Sequence, residues 1–331
     1  MESNPPLLTT YKTLFAKYRR PVHPSRIDAI EECDLPIIDL SNLTSNNINL
    51  VEKCKKEIVL AASDWGFFQV INHGISHDLI LQLTKLQVDL FREPFEKKKQ
   101  EKLLELAPEN YCWGTPTATN VEQLSWSEAY HIPLNSISGS VGGSMRKIIQ
   151  NASRAMSRLA HEMASILGAE LGDMNGSYIN QNCTSNTCYL RLNHYPPCPE
   201  PSGAFGLAPH TDSDFLTVLY QDQVGGLQLL KEERWVNVRP KPGALIINIG
   251  DLFQAWSNNL YKSVKHRVVA NSICERFSVA YFLCPSYDTT IQGYSDPAIY
   301  RRFSFGEYKQ QIKEDVQLTG HKVGLSRFLA L

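Results

Sequence analysis

The chain has 331 residues, 43% of them apolar, and a formal net charge of -1. That length holds one large domain or two small ones around a buried core, and a near-neutral balance without basic runs argues against nucleic acid or an anionic membrane as partner. The opening MESNPPLLTT lacks a basic segment followed by an apolar one, and no apolar run approaches the ~18 residues of a membrane span. A soluble protein of the cytoplasm is therefore expected, with the nucleus as a second location.

Residues 1–34 are polar and carry prolines, which predicts a loosely ordered start with one short helix over 11–18. LPIIDLSNL (35–43) reads as a strand running into turn residues. Residues 49–63 suit a helix. WGFFQVINHGI (65–75) is aromatic and β-branched and ends in Asn-His-Gly, so a strand and a turn are expected. Residues 77–104 read as one helix whose charged end, FEKKKQEK, is a solvated face. The pattern breaks over 105–144, where Tyr111, Trp113, Trp126 and Tyr130 recur. Over 145–172 apolar residues return at steps of three and four, the stripe of a helix packed on a sheet. From about 186 to 285 the chain becomes a series of short β-rich runs, among them CYLRLNHY, FLTVLYQ, GLQLL, ALIINIGDLFQAW, SVKHRVV and RFSVAYFLC. Such a series suits a barrel or a two-sheet sandwich. Residues 289–331 return to helix-like polar sequence. The eight cysteines are scattered with no CxxC pair, which points to free or buried thiols rather than a zinc finger or a disulfide framework.

The segment LAPHTDSDFLTVLY (207–220) places His210 and Asp212 two positions apart. On an extended backbone such residues share a face. An imidazole and a carboxylate then converge on one ion. Asp214 is also in phase, and spacing alone does not choose between the carboxylates. His266, on another β-rich run, supplies a second imidazole. Two imidazoles and a carboxylate fill one face of an octahedron and leave three sites open, the arrangement of Fe(II) oxygenases. Zinc is the rival ion, since the same donors suit it. In CERFSVAYFL (274–283), Arg276 and Ser278 again share a face. A guanidinium fork beside a hydroxyl clamps a carboxylate, and an arginine aimed into a β core requires an anionic partner. A salt bridge to Asp or Glu within the barrel is the plainer alternative.

Together, His-x-Asp, the distant His and Arg-x-Ser resemble the plant-type 2-oxoglutarate/Fe(II) dioxygenases. DWGFFQVINHGI, LRLNHYPPCPEP (190–201), PGALIINIGD and YKSVKHRVV follow in that family's order, and the resemblance spans about residues 35–330. It implies a mixed α/β chain with a β core, a double-stranded β-helix (jelly roll) flanked by helices. Its parts would be a mixed segment over 35–185, the jelly roll over 186–285 and a helical tail over 286–331, together one catalytic unit. It implies Fe(II) on His210, Asp212 and His266, and 2-oxoglutarate held by Arg276 and Ser278 with Asn193 and Tyr195 lining its pocket. O2 is the oxidant and ascorbate the reductant. His73 matches a family motif and is expected to serve a turn, and His194 is assigned no role.

QLSWSEAYHIPL (123–134) and NYCWGTPTATN (110–120) resemble the gibberellin 2-oxidases that act on twenty-carbon gibberellins. That implies 2β-hydroxylation of a hormone precursor. The Cys-Trp pair at 112–113 departs from simpler glycine-rich turns. Oxidation at another carbon, or a flavonoid substrate for an enzyme of the same class, are the alternatives. The intact His, Asp, His, Arg and Ser set speaks against a non-catalytic binding module, and a zinc hydrolase leaves Arg276 and Ser278 unexplained. A rigid ring system bearing a carboxylate needs an aromatic wall and a cation. Tyr111, Trp126, Tyr130 and Phe282 are the candidates for the wall, and Arg92, Lys262 and Arg302 for the cation.

Overall fold

The computed structural model describes residues 2–18, 31–100, 106–137, 143–184, 186–199 and 204–330. The helices are α1 (Leu7–Tyr18), α2 (Ile48–Trp65), α3 (His77–Arg92), α4 (Phe95–Gln100), α5 (Ser144–Ala169), α6 (Ser177–Asn182), α7 (Asp251–Trp256) and α8 (Phe305–Thr319). α1 begins earlier than expected and is docked, with Leu7 and Tyr11 buried against Leu124 and Trp126. α2 starts under an Asn47 cap and stops at Gly66, whose φ of 63° is left-handed and whose missing Cβ leaves room for the Lys262 carbonyl.

The helix expected over 77–104 is two. Pro94 forces Glu93 into an extended conformation, with ψ 146°, and offers no N–H to continue the ladder. The last residues of that expectation, 101–104, lie outside the described ones. No helix among the described residues is long and apolar enough to cross a membrane.

The strands are β1 (Glu32–Cys33), β2 (Ile37–Asp39), β3 (Phe67–Ile71), β4 (Tyr111–Trp113), β5 (Glu128–Pro133), β6 (Tyr189–Tyr195), β7 (Phe205–His210), β8 (Leu216–Gln221), β9 (Leu227–Lys231), β10 (Arg234–Val238), β11 (Leu245–Ile249), β12 (His266–Val269) and β13 (Arg276–Leu283), with a short pair β14 (Thr290–Ile291) and β15 (Phe303–Ser304) in the tail. A larger sheet runs β2-β3-β11-β8-β13-β6-β5-β4 and a smaller one β1-β10-β9-β12-β7. The two form a jelly roll whose larger sheet is extended at both ends by strands from the first half of the chain. β4 and β5 lie in the stretch where the sequence showed no regular pattern. The apolar run over 244–256 divides at Gly250 into β11 and α7 rather than continuing as a strand.

α2, α3 and α5 cover the outer face of the larger sheet. The stripe on α5 buries Ile149, Ala152, Met156, Leu159 and Met163, each large side chain contributing roughly 1.5–3 kcal/mol by leaving water. Gln87 on α3 donates to the carbonyls of Asn193 and Ser278 at 2.9 and 2.8 Å. These bonds tie the helix layer to the two central strands, β6 and β13, that carry the site.

Candidate active site

His210 ends β7, His266 begins β12, and the two stand directly opposite each other in the antiparallel register. Their rings are 4.3 Å apart. Each Nδ1 faces a carbonyl two residues back along the chain, Ala208 at 2.8 Å and Val264 at 3.1 Å. Nδ1 therefore carries the proton, and both Nε2 lone pairs are left to converge. Burial, then the neighbouring His266, pushes the His210 imidazole down to about 3, so it is neutral and able to ligate.

Asp212 Oδ1 lies 3.6 Å from His210 Nε2 and 3.7 Å from His266 Nε2. Its Oδ2 accepts from Thr217 Oγ1 and Asn248 Nδ2, both at 2.7 Å. Burial alone would raise this carboxyl, but His266, His210 and those two donors hold it below the usual carboxylate range. The three ligand atoms lie within 4.8 Å of one another, a cluster able to hold one metal ion.

Asp212 sits in the turn after β7, not on the strand, so strand alternation does not select it. The turn does. Asp214 is 1% exposed and is not part of the cluster that Asp212 forms with the two histidines. A Cβ on Gly250 would overlap the Asp214 backbone and carboxylate, and only glycine fits there. Burial, then Asp212, pushes the Asp214 carboxyl well above its usual range. Thr217 Oγ1 lies 2.8 Å from Asp214 Oδ2. One hydroxyl has one proton, so Thr217 is shared between the two carboxylates and can donate fully to only one of them at a time. The first amides of α7 complete the turn: Asp251 N donates to Asp212 O and Leu252 N to Asp214 O, both at 2.9 Å. From the tail, Lys322 Nζ donates to Thr211 O at 2.9 Å and to Ser213 Oγ at 2.7 Å.

The register of the larger sheet sorts the cavity face into rows. Arg276 pairs with Tyr195. Ser278 pairs with Asn193 and Gln221, Ala280 with Arg191 and Leu219, and Phe282 with Tyr189 and Thr217. These residues, except Gln221, line one cavity together with His210, Asp212, His266 and Lys309 of α8.

Arg276 is 2% exposed and its Nη2 donates to Gln221 Oε1 at 2.8 Å. Its Nε and Nη1 have no partner, and its guanidinium carbon lies 4.9 Å from the Tyr195 ring centroid. A buried guanidinium with free donors is built for an incoming anion. It makes no ion pair inside the barrel among the described residues. Asn193 Nδ2 donates to Ser278 Oγ at 3.3 Å, completing the polar end of the cavity. The residues present thus fit both groups: two imidazoles and a carboxylate for Fe(II), and an unsatisfied guanidinium beside a hydroxyl for a dicarboxylate.

Residues 186–285 match the 2OG-Fe(II) oxygenase superfamily model, and residues 35–142 match the model of the non-haem dioxygenase in morphine synthesis N-terminal region. The chain is 55% identical to gibberellin 2-beta-dioxygenase 8 of Arabidopsis thaliana, over 91% of this chain and 88% of that protein. The chain belongs to the 2OG-Fe(II) oxygenase family. This oxygenase is also 52% identical to gibberellin 2-beta-dioxygenase 5 of Oryza sativa subsp. japonica, over 98% of the chain and 96% of the relative. Among solved structures it is similar to JOX2 in complex with 2OG, Fe and JA, with a TM-score of 0.75, 29% identity and 91% of each chain covered. The oxygenase is an oxidoreductase that uses Fe(II) and 2-oxoglutarate.

The residues expected to form an aromatic wall divide. Phe282 lines the cavity and stacks on Tyr189, centroids 4.4 Å apart. Tyr111, Trp126 and Tyr130 do not line it. On β5 the cavity face is that of Ala129 and His131, paired with Asn193 and Arg191. Tyr130 lies on the opposite face, and Tyr111 pairs with it. Tyr111, Phe91 and Tyr130 pack under the helices beside the buried Lys98–Glu128 ion pair. Trp126 packs against Tyr11 and Phe15 of α1.

None of the three candidate cations lines the cavity either. Arg92 pairs with Glu275, Arg302 donates to Gln292, and Lys262 borders a separate surface pocket near Trp65. His73 serves its turn, with Nε2 on the Gly243 carbonyl and Nδ1 accepting from Ile75 N. His194 has a structural role, bridging Glu128 and Glu275 on the outer face of β6. Sequence reading missed Tyr189 and Arg191. Continuing the period of two backwards from Tyr195 and Asn193 reaches both.

Proposed function

We propose that this oxygenase 2β-hydroxylates a gibberellin, with twenty-carbon gibberellins as substrates, and so inactivates the hormone. What supports the reading is identity above one half, across nine-tenths of the chain, to a protein named for that reaction. The twenty-carbon class is supported by the resemblance carried by residues 110–134. The segments 35–185, 186–285 and 286–331 are proposed to act as one unit, since β3 completes the sheet beside β11 and Lys309 of the tail reaches the cavity.

In this reading His210, Asp212 and His266 hold Fe(II). When bound with 2-oxoglutarate and O2, the centre supplies oxidation of 2-oxoglutarate to succinate and CO2 coupled to conversion of a substrate C–H into C–OH. The protein supplies placement. Arg276 and Ser278 take the distal carboxylate of 2-oxoglutarate, and Gln221 holds Nη2 of the guanidinium, leaving Nε and Nη1 as free donors on a residue that lines the cavity. Asn193 and Tyr195 wall that end. Thr217 and Asn248 hold one oxygen of Asp212 and leave the other for the metal. Leu207, Leu219, Leu227 and Val268 give the cavity apolar walls that exclude water from the reacting carbon. Phe282 and Tyr189 offer a flat surface for a ring system.

The test is product identification by mass spectrometry after incubation with Fe(II), 2-oxoglutarate, ascorbate and either a twenty-carbon or a nineteen-carbon gibberellin. One added oxygen at C2 of the twenty-carbon substrate is expected. Turnover of a flavonoid with no gibberellin product would overturn the assignment.

A further inference from the structure

The cavity contains a second cationic element that neither iron nor 2-oxoglutarate uses. Arg191 lies four residues from Tyr195 on β6, opposite Ala280. Four residues of strand are about 13 Å, so Arg191 stands well away from the Arg276 row. Its Nε donates to Asn193 Oδ1 at 2.9 Å, and its Nη2 approaches Cys112 Sγ at 3.8 Å. Lys309 reaches the same cavity from α8. Neither side chain makes an ion pair among the described residues, whereas Arg92, Lys98, Arg239 and Lys322 all do.

Lys309 is held in place by its own helix. Ser304 and Glu307 form a capping box at the start of α8, and the adjacent Tyr308 is buried with its hydroxyl on Asp251. Arg191 and Lys309 act on one point. His131, directly opposite Arg191 on β5, has its imidazole pushed down to about 4 by burial first, then by Arg191 and Lys309. One row further along lies the stacked Tyr189–Phe282 pair. An apolar ring surface thus adjoins two cations that lack counter-charges.

We propose that Arg191 and Lys309 form a two-cation edge that reads two substrate carboxylates and thereby selects twenty-carbon over nineteen-carbon gibberellins. This rests on the gibberellin reading above and deepens it. Twenty-carbon gibberellins without a lactone carry two free carboxylates. In nineteen-carbon gibberellins one of them is consumed as the lactone and is neutral. Two cations without counter-charges on the cavity lining match the dianion, and desolvating the second cation against a neutral lactone is unfavourable.

The experiment compares kcat/KM for a dicarboxylic twenty-carbon gibberellin, its monomethyl ester and a nineteen-carbon lactone, using the intact enzyme and the variants Arg191→Gln and Lys309→Gln. The intact enzyme should prefer the diacid, and the monoester should behave like the lactone. Arg191→Gln should reduce the preference about ten-fold, the cost of losing one charge-assisted hydrogen bond. Lys309→Gln, at an exposed helix position, should reduce it about three-fold. KM for 2-oxoglutarate should stay within about two-fold in Lys309→Gln, and in Arg191→Gln it should rise less than KM for the substrate, because Arg276 is untouched and Arg191 reaches the co-substrate end only through Asn193.

If the intact enzyme prefers the diacid and both variants keep that preference, the two-cation edge is wrong while the gibberellin reading stands. A rise in KM for 2-oxoglutarate equal to that for substrate would assign Arg191 to the co-substrate and overturn the proposal. Absence of turnover on every gibberellin would remove both. Lys309→Gln lies on the surface of α8 and tests the idea even if Arg191→Gln folds poorly.

Discussion

Replacing Arg276 by methionine separates a ligand clamp from a structural ion pair. Arg276 is 2% exposed, and only Nη2 is bonded, to neutral Gln221. Nε and Nη1 have no acceptor. Methionine keeps the length and apolar volume of the side chain and removes the charge. The co-substrate-free fold therefore loses one bond to Gln221 and is relieved of a buried, unneutralised cation, so its melting temperature should stay level or rise. Binding of 2-oxoglutarate loses two charge-assisted bonds. At the low end of about 1.5 kcal/mol each, that is about 3 kcal/mol, or roughly 150-fold in affinity. The assay is calorimetric titration of 2-oxoglutarate into the Fe(II)-loaded protein, with thermal melts of both forms. A change in affinity below about three-fold would refute the clamp. So would a loss of about 3–5 kcal/mol in the co-substrate-free protein, the cost of breaking a buried ion pair.

Three further outcomes rest on the same geometry. Burial and then Asp212 raise the Asp214 carboxyl well above the usual range, and Asp214 is not one of the three clustered ligand residues, so Asp214→Asn should keep Fe(II) affinity within about three-fold. Asp212→Asn should lose more than about 100-fold, beyond the cost of losing an outer partner, and metal titrations giving equal losses would refute the choice of ligand. Gly250→Ala would drive a Cβ into the Asp214 backbone, costing about 1–3 kcal/mol and weakening Fe(II) binding through the shared turn; an unchanged melt and an unchanged metal titration would count against that account. His131 is depressed from 6.5 to about 4 by burial, Arg191 and Lys309. Between those values the unfolded chain binds the extra proton, so stability falls as pH drops from about 6.5 towards 4 and no further loss accrues below it. His131→Gln should flatten that slope by at most about 1.4 kcal/mol per pH unit in urea titrations, and a slope identical to the unaltered protein would exclude His131 as its source.

The sequence by itself determined the chemistry. Arg276 and Ser278 are legible because side chains two apart on an extended chain share a face, and the His-x-Asp segment with the distant His266 because such donors have few uses in a β core, although spacing left Asp212 and Asp214 as equal candidates. The helical stripe over 145–172 was equally plain, since its period of three to four persists for several turns. The tertiary structure decided what that periodicity leaves open. Alternation says which residues share a face, not which face looks inward. The larger sheet is buried on both faces, by helices outside and by the cavity inside, so β5 shows no polar-apolar alternation to read. Hence Trp126 and Tyr130 looked like cavity residues, while Ala129 and His131 occupy that face. Likewise the turn after β7, not the spacing, buried Asp214 against Gly250 and left Asp212 with the histidines. Lys309 was out of reach for a different reason: it meets the site only through the docking of α8, a contact between distant segments that no local pattern encodes.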